Sequence, residues 1–259
     1  RSVSRGLGDV YKRQIENKGI ELSIGLQLVD TKDWNVRLNA SYNTNHNKVL
    51  SIGNAVPFAI GGFSSRTVQT VVAEGEPVGF IRGYKAVLNP DNSLKEILPL
   101  QNLGSTLPTA YGNFSLSASY KNLSFMLSGD YQYGAYVHSF DRQFRFSKGL
   151  KDDAIPEKAL EGLDQGANWL NFTNFFVEKS DFLKIRNIGI AYDYKPKKYL
   201  KSVNLAFNVY NPFAFTASSV DPEAALAGAR SQGAVAVGGL NYSSYSTPRQ
   251  YVGTIRVSF

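Results

Sequence analysis

The feature that most constrains this chain is that its strand-like segments occur in pairs. Only a few residues join the two segments of a pair, whereas the connections between pairs, at 46–110, 139–181 and 212–249, run to dozens of residues. Compact soluble domains rarely hold several such loops, because the usual connection has ~4–6 residues. Bacterial outer-membrane barrels combine short turns at one end with long loops at the other. The spacing therefore favours an all-β membrane fold.

In the first pair, apolar residues occupy every second position in 20–28 and again in 34–42, on either side of a turn at 30–33. A period of two predicts β-strands, so the two segments form a hairpin. The alternate positions are polar, which suits a solvated sheet and equally the wall of a water-filled lumen.

The second pair, 113–120 and 123–133, turns at Lys121 and Asn122. The third pair, 182–194 and 202–210, is joined by K-P-K-K-Y-L-K, in which Pro196 interrupts any continuing ladder. Within 182–194 the apolar phase switches, and this switch predicts a β-bulge near Arg186 and Asn187.

The last strand, 250–259, reads Q-Y-V-G-T-I-R-V-S-F and has the length with which a tilted strand crosses the hydrocarbon, ~9–11 residues. The edge strand of a soluble sandwich would share its pattern. Seven spanning strands would place every short turn at the periplasm. Segments 66–73 and 79–88 flank E-G-E-P and form a hairpin inside the lumen or above the membrane, or two further spanning strands, so seven to nine strands are expected.

Composition excludes several classes of protein. The 259 residues are 43% hydrophobic and 19% charged, as in an ordered protein, and hold no cysteine for disulfides or thiolate metal sites. No run approaches 18 apolar residues, so no transmembrane helix is expected. Of the net charge of +7, residues 1–14 contribute +3, and the remaining cations are mostly scattered, which argues against nucleic-acid binding.

No catalytic or metal motif is present. His46 and His138 fall at predicted outer strand ends without a nearby Asp or Glu that the pattern marks as a co-ligand, and we expect both to be solvated. We also expect four acids within 139–181, namely Asp152, Asp153, Glu157 and Glu161, to form a solvated face near a helix-like piece that starts at Pro156. Glycine-rich 61–63 and 228–233 lack the context of phosphate loops. No enzyme activity and no cofactor are therefore expected.

Six stretches, in this order and spacing, resemble the C-terminal part of the SusC/RagA-type TonB-dependent outer-membrane transporters. They are E-G-E-P-V-G-F-I-R-G-Y-K at 74–85, L-G-S-T-L-P-T-A-Y-G-N-F at 103–114, Y-K-N-L-S-F at 120–125, V-E-K-S-D-F-L-K-I-R-N-I-G-I-A-Y at 177–192, N-V-Y-N-P-F-A-F-T at 208–216 with D-P-E at 221–223, and Y-S-T-P-R-Q-Y-V-G-T-I-R-V-S-F at 245–259. The likeness covers essentially all of 15–259. The family's Asp/Gly-rich segment before L-G-S-T is replaced by N-P-D-N-S-L-K-E-I-L, so no calcium site is expected.

The resemblance implies an antiparallel transmembrane β-barrel, of which 15–259 would be the C-terminal strands, with the plug domain, the TonB box and the first strands missing. It implies import of a nutrient such as a glycan or peptide across the outer membrane of a Bacteroidota-like Gram-negative cell. The partners would be a SusD-type surface lipoprotein, the TonB complex and outer-membrane lipid. Residues 1–14 resemble adaptor-derived read-through and are expected to be non-native. A passive porin or adhesin barrel, or a soluble carbohydrate-binding β-sandwich, are the alternatives.

Residue roles follow from these patterns. We expect one face to contact lipid: Leu22, Leu26, Val36, Leu116, Phe125, Leu127, Leu205, Phe207, Val209 and Ile255. We expect the other face to line a lumen: Asn35, Arg37, Asn39, Ser117, Asn204, Asn208, Thr254 and Arg256. Resemblance to outer-membrane barrels implies that Tyr251 and Phe259 form an assembly signal. Aromatic residues in loops, such as Trp169, Tyr242 and Tyr245, are candidates for ligand or partner contacts, although they could equally pack within the loops.

Overall fold

The computed structural model describes residues 13–62, 68–196, 200–221, 239–242 and 245–259. In chain order its strands are β1 (Gln14–Lys18), β2 (Glu21–Asp30), β3 (Trp34–Thr44), β4 (His46–Ser51), β5 (Phe58–Gly62), β6 (Gln69–Val72), β7 (Phe80–Leu88), β8 (Leu94–Ser105), β9 (Ala110–Tyr120), β10 (Leu123–Tyr133), β11 (Tyr136–Ser139), β12 (Val177–Lys179), β13 (Phe182–Tyr194), β14 (Ser202–Thr216), β15 (Leu240–Asn241) and β16 (Gln250–Ser258). The helices are α1 (Phe140–Ser147), α2 (Gln165–Asn168) and two 3-10 segments, Glu157–Leu160 and Trp169–Phe176.

Seven strands form one antiparallel sheet in the order β16-β14-β13-β10-β9-β3-β2. The three predicted hairpins are confirmed. Across the sheet, the seven strands stand in the same order as they occur along the chain. At the end with the short turns, the Lys121 amide donates to the Asp33 carbonyl and the Lys201 amide to the Ser258 carbonyl, both at 2.8 Å. The three short turns therefore share one end of the sheet, and the long connections share the other.

The two segments around E-G-E-P do not join this sheet. They contain β6 and β7, which belong to a separate four-stranded sheet of order β5-β6-β7-β8. The expectation of seven to nine strands therefore resolves to seven. Sequence periodicity missed β8, because its ladder is broken: Lys85 pairs with Leu98 and Gly83 with Gln101, so an extra residue is inserted around Leu100, whose φ is 54°.

The predicted bulge in β13 is confirmed. Ile185 and Asn187 have consecutive partners on β10, so Arg186 is the extra residue. A second bulge, which the sequence did not predict, lies at Leu28 in β2, where Gln27 pairs with Arg37 and Val29 with Val36. The regular alternation that was expected to continue through Leu28 therefore ends at the pair of Gln27 with Arg37.

The long connections build their own hydrophobic core. Apart from Pro212 and glycines, all of the buried apolar residues in the described part of the chain lie outside the seven-stranded sheet. One cluster centres on Phe146, Phe172 and Phe176, and another joins Val68, Ile81 and Leu240. We call this part, 52–62 and 68–108 with 135–180 and 239–242, the loop assembly. Within it, β12, β11 and β15 form a small sheet in which β15 pairs with β11 in parallel.

Helix predictions were partly wrong. The helix-like piece starting at Pro156 is only a 3-10 turn, Glu157–Leu160, with Pro156 as its N-cap. The α1 helix was not predicted. No helix among the described residues has the length and apolar character needed to cross a bilayer.

Two predictions concern segments that the structure does not describe. Twelve of the fourteen residues in the expected non-native extension lie outside the described residues, and so does the glycine-rich segment 228–233.

Candidate functional site

Strand register divides the seven-stranded sheet into two chemically different faces. One row of side chains across the sheet contains Val36, Phe125, Ile190 and Phe207. Leu205 belongs to the adjacent row, which lies nearer the short turns. All ten residues expected on the lipid side share this face. Several are large and exposed, including Leu205 at 45%, Phe207 at 47% and Ile255 at 73%. This apolar face therefore lies uncovered by any described part of the chain.

The opposite face is polar and carries all eight residues expected to line a lumen. Arg37 donates through Nε to Gln27 Oε1 at 3.1 Å, and Asn39 Nδ2 donates to Ser115 Oγ at 3.3 Å. Side chains of neighbouring strands are thus linked across the sheet, which fixes their orientation on this face.

Two further lumen candidates lie near the short turns. Asn35 Nδ2 donates to Asp30 Oδ1 at 3.2 Å, and Asn204 Nδ2 donates to Asp193 Oδ1 at 2.7 Å. Arg256 is the partner of Asn204 in the register and is exposed. The polar face therefore presents amides, carboxylates and a guanidinium at this level.

The middle of the polar face is hollow. Small residues on neighbouring strands leave a cavity of about 330 Å³ beside Asn208 and Met126. At Gly189 an added Cβ would lie 2.4 Å from Asn208 Oδ1, so glycine is what leaves room for the Asn208 side chain.

Ion pairs that the sequence reading missed mark the long-loop end of the sheet. The bulged residue Arg186 binds both carboxylate oxygens of Asp130, with Nη2 to Oδ2 at 2.7 Å. Lys184, 3% exposed, pairs with Asp221, which also accepts from the Thr247 amide at 3.1 Å. The phase switch located the bulge, but nothing in the local pattern identified these partners, which are 37 and 56 residues away.

A second ionic junction lies in the loop assembly. Arg142 of α1 binds Asp152 through Nε at 2.9 Å and also contacts Glu178 of β12. Burial raises the pKa of Asp152, but the hydrogen bonds from Arg142 outweigh it, so the pKa lies below its ordinary value. The expectation of a solvated acidic face is wrong for Asp152, because Arg142 draws it into a half-buried pair.

His138 also corrects the sequence reading. The ring was expected to be solvated, but it is fully buried, with Nε2 2.6 Å from Gln143 Oε1. Gln143 Nε2 in turn donates to Thr173 Oγ1 and to the Trp169 carbonyl. Burial lowers the pKa of His138 to about 4, so the ring is neutral at ordinary pH. His46 is exposed, as predicted.

The loop aromatics divide between packing and exposure. Trp169 is half-buried and meets Phe140 edge-on, with ring centroids 6.1 Å apart. Tyr242 also contacts Phe140 at 5.2 Å yet stays 47% exposed, and Tyr245 is 95% exposed. Of the three candidates, Tyr242 and Tyr245 are therefore more exposed than Trp169.

The residues expected to form an assembly signal lie on the edge strand β16. Tyr251 is 64% exposed and stacks on Phe207 at 6.5 Å, while Phe259 is 81% exposed. Both present apolar surface that no described residue covers. Among the described residues, no group of three or more acidic or histidine side chains is placed to hold a metal ion.

No family model matches this chain. It is 24% identical to a protein named TonB-dependent receptor P26 from Formosa agariphila, over 95% of the chain and 29% of that relative. The chain therefore spans less than a third of the length of the relative it matches.

Solved structures show the same relationship. The RagAB peptide transporter matches with a TM-score of 0.67 and 21% identity over 95% of this chain and 30% of its own. The RagAB peptide importer matches in its closed-closed state at 0.69 and in its open-open state at 0.67, each with 20% identity. The resemblance to SusC/RagA-type TonB-dependent transporters and the antiparallel transmembrane β-barrel fold are thereby confirmed.

Proposed function

We propose that this chain forms part of the wall and the external loops of a TonB-dependent outer-membrane transporter, which imports a nutrient such as a glycan or a peptide. The observation that carries this proposal is a seven-stranded sheet with one exposed apolar face and one polar face, in a chain that matches the RagAB structures over 95% of its length. In a barrel of this kind the apolar face contacts lipid and the polar face lines the lumen.

Exposure argues against a soluble sandwich. A sandwich buries one face of each sheet against the other, so side chains such as Leu205 and Phe207 would be covered. Here both are about half exposed, and Ile255 is more exposed still. Contiguous apolar area of this extent is typical of a surface that meets lipid or another protein.

The loop assembly favours transport with a surface partner over a simple porin. Its aromatic core around Phe146 and its ionic junction at Arg142 give the external end a defined shape. A SusD-type lipoprotein would cap this surface, with Trp169, Tyr242 and Tyr245 as candidate contacts. TonB would act through parts of the whole protein beyond the matched region. No catalytic step is needed for this function.

Uptake tests this proposal. Cells that lack the gene, and complemented cells, would be grown on a panel of oligosaccharides and peptides as sole nutrients, with and without TonB. We expect growth on at least one nutrient to require both the gene and TonB. Growth that requires the gene but persists without TonB would support a passive porin instead.

Cysteine labelling tests the assignment of the faces in the full-length protein. A membrane-impermeant thiol reagent should label Asn208→Cys and Asn35→Cys but not Phe207→Cys or Leu205→Cys. Equal labelling of both sets would exclude the barrel orientation. Residues 1–259 contain no cysteine, and any cysteine elsewhere in the full-length protein would first be replaced by serine, so that each variant reports one position.

We also propose that Tyr251 and Phe259 act in barrel assembly. An exposed edge strand with an apolar face can pair transiently with another sheet before the barrel closes. Deleting Phe259 should lower the amount of protein in the outer membrane, while inserted molecules keep their heat stability. Unchanged abundance with lowered stability would show that Phe259 only packs at the interface.

A further inference from the structure

The short-turn end of the seven-stranded sheet carries a concentration of exposed lysines. We call these four residues the lysine rim: Lys32, Lys121, Lys195 and Lys201. Each lies in or beside one of the three short connections, so each hairpin contributes at least one. The same connection that holds Lys195 also contains Lys197 and Lys198 in the sequence.

The rim lysines are not neutralised by direct ion pairs. Among the described residues, none of the four lies within ion-pair distance of a carboxylate. Three acids share this end of the sheet. Asp33 lies in the same turn as Lys32, whereas Asp30 and Asp193 accept hydrogen bonds from asparagines of the polar face. Asp30 and Asp193 keep their negative charge, but the register puts them on the polar face and not on the apolar face.

An aromatic row lies directly beside the rim on the apolar face. Trp34, Tyr120 and Tyr192 are in register across the sheet, with Leu123 between the two tyrosines and Leu205 beyond them. The rings of Trp34 and Tyr120 are 4.5 Å apart, and Lys121 Nζ lies 5.1 Å from the Tyr120 centroid. Tryptophan and tyrosine at this level are typical of the membrane interface.

We propose that the lysine rim and the aromatic row together bind anionic glycerophospholipids, the ammonium groups holding the phosphates and the rings packing beside the glycerol region. This inference rests on the proposed function, which places the short turns at the phospholipid leaflet of an outer membrane. The flexible lysine stems can lie along the apolar face and still present their charges at the headgroups. Attraction of a basic residue to an anionic leaflet contributes about five-fold in affinity per lysine.

The test uses the full-length transporter, purified in mild detergent and exchanged with vesicles of phosphatidylglycerol and phosphatidylcholine at equal amounts. Native mass spectrometry then counts the retained lipids of each class. We expect wild type to retain phosphatidylglycerol preferentially. The variant with all four rim lysines changed to glutamine should lose that preference by at least about ten-fold, given that salt screens part of the attraction.

A matched control changes four exposed lysines elsewhere, Lys48, Lys85, Lys95 and Lys179, to glutamine and removes the same charge. Retained preference in this control would support the rim as the binding surface. Equal loss in both variants, or no preference in wild type, would overturn the inference. A heat-modifiable gel band verifies folding of each variant.

The readout is separate from transport. TonB-dependent growth reports the proposed function, while lipid retention reports the rim. Lipid preference that persists in a protein without uptake would leave the inference standing and the transport proposal refuted. The reverse result, TonB-dependent uptake with no lipid preference, would refute the rim alone.

Discussion

Placing arginine at successive positions along β14 would measure how deep each position lies in the membrane. Outward-facing residues on one strand are two apart, which is ~6.8 Å along the strand. At a tilt of ~40° this becomes ~5 Å along the membrane normal. Leu205 is in register with the aromatic row, so Phe207 lies ~5 Å and Val209 ~10 Å inside that boundary. Half of a ~25 Å apolar band is ~12 Å, which puts Val209 nearest the middle.

The expected costs follow this depth. Arginine costs ~2–4 kcal/mol at the midplane and ~0–1 kcal/mol near the interface. We therefore expect ~2–4 kcal/mol for Val209→Arg, ~1–3 for Phe207→Arg and ~0–1 for Leu205→Arg. Without the strand register, the midplane cost of ~2–4 kcal/mol would be the expectation for Phe207→Arg. The register lowers the expected cost of Phe207→Arg, because Phe207 lies closer to the short turns than Val209 does.

The assay is denaturant unfolding of the full-length protein in bilayers, and the loss of the heat-modifiable gel band measures the unfolded fraction. Asn208→Arg is the matched control, since it lies between Phe207 and Val209 but on the polar face. Its cost should stay below ~1 kcal/mol, because a lumen solvates the charge. The reasoning fails if Asn208→Arg costs as much as Val209→Arg, or if the three outward positions show no gradient.

Three further changes test other parts of the structure. His138 is buried in its neutral form, so its contribution to the stability of the loop assembly depends on pH. The contribution is complete at pH values above the unfolded pKa of about 6.5 and falls by ~3 kcal/mol as the pH drops towards the folded pKa of about 4. Hydrogen exchange should show the β11 amides opening over that range, whereas His138→Gln removes the dependence and His46→Gln leaves it unchanged. Arg142→Ala should lower the free energy of unfolding by ~2–4 kcal/mol, because it leaves Asp152 and Glu178 without their cation. Adding Asp152→Asn and Glu178→Gln to the same variant removes both unpaired charges and should recover part of that loss, as measured by thermal unfolding. The isolated chain, whose edge strands β2 and β16 have no outer partners among the described residues, should aggregate in liposomes without giving a folded band, and efficient insertion would contradict this.

The sequence predicted the sheet well because the signal for a strand exposed to two different environments is local. Alternation with a period of two assigns each residue to a face without knowledge of its partners. The bulge at Arg186 was also predictable, since a bulge shifts the phase within one strand. The bulge at Leu28 was not, because Leu28 and Val29 are both apolar and no phase change was visible.

The loop assembly was predicted poorly because its contacts are distant in sequence. His138 is buried by α1 and by the 3-10 segment Trp169–Phe176. It also pairs with Gly239 and with Leu240 of β15, about a hundred residues further along the chain. Its neighbours in the chain carry no sign of this. The α1 segment, F-D-R-Q-F-R-F-S, places Phe144 and Phe146 two apart, a strand-like spacing, although the backbone is helical.

The division between buried and exposed apolar residues explains why these two parts differ. In water, a fold must bury its apolar side chains against one another, and the loop assembly does so with Phe146, Phe172 and Phe176. A sheet in lipid has no such requirement, because the solvent outside is as apolar as the residues that face it. Its own order comes from backbone pairing, which alternation encodes locally, whereas the loop assembly depends on tertiary packing, which alternation does not encode. A change such as Phe172→Ala should therefore disturb the external surface while leaving the strands paired, and a charge at Val209 should do the reverse.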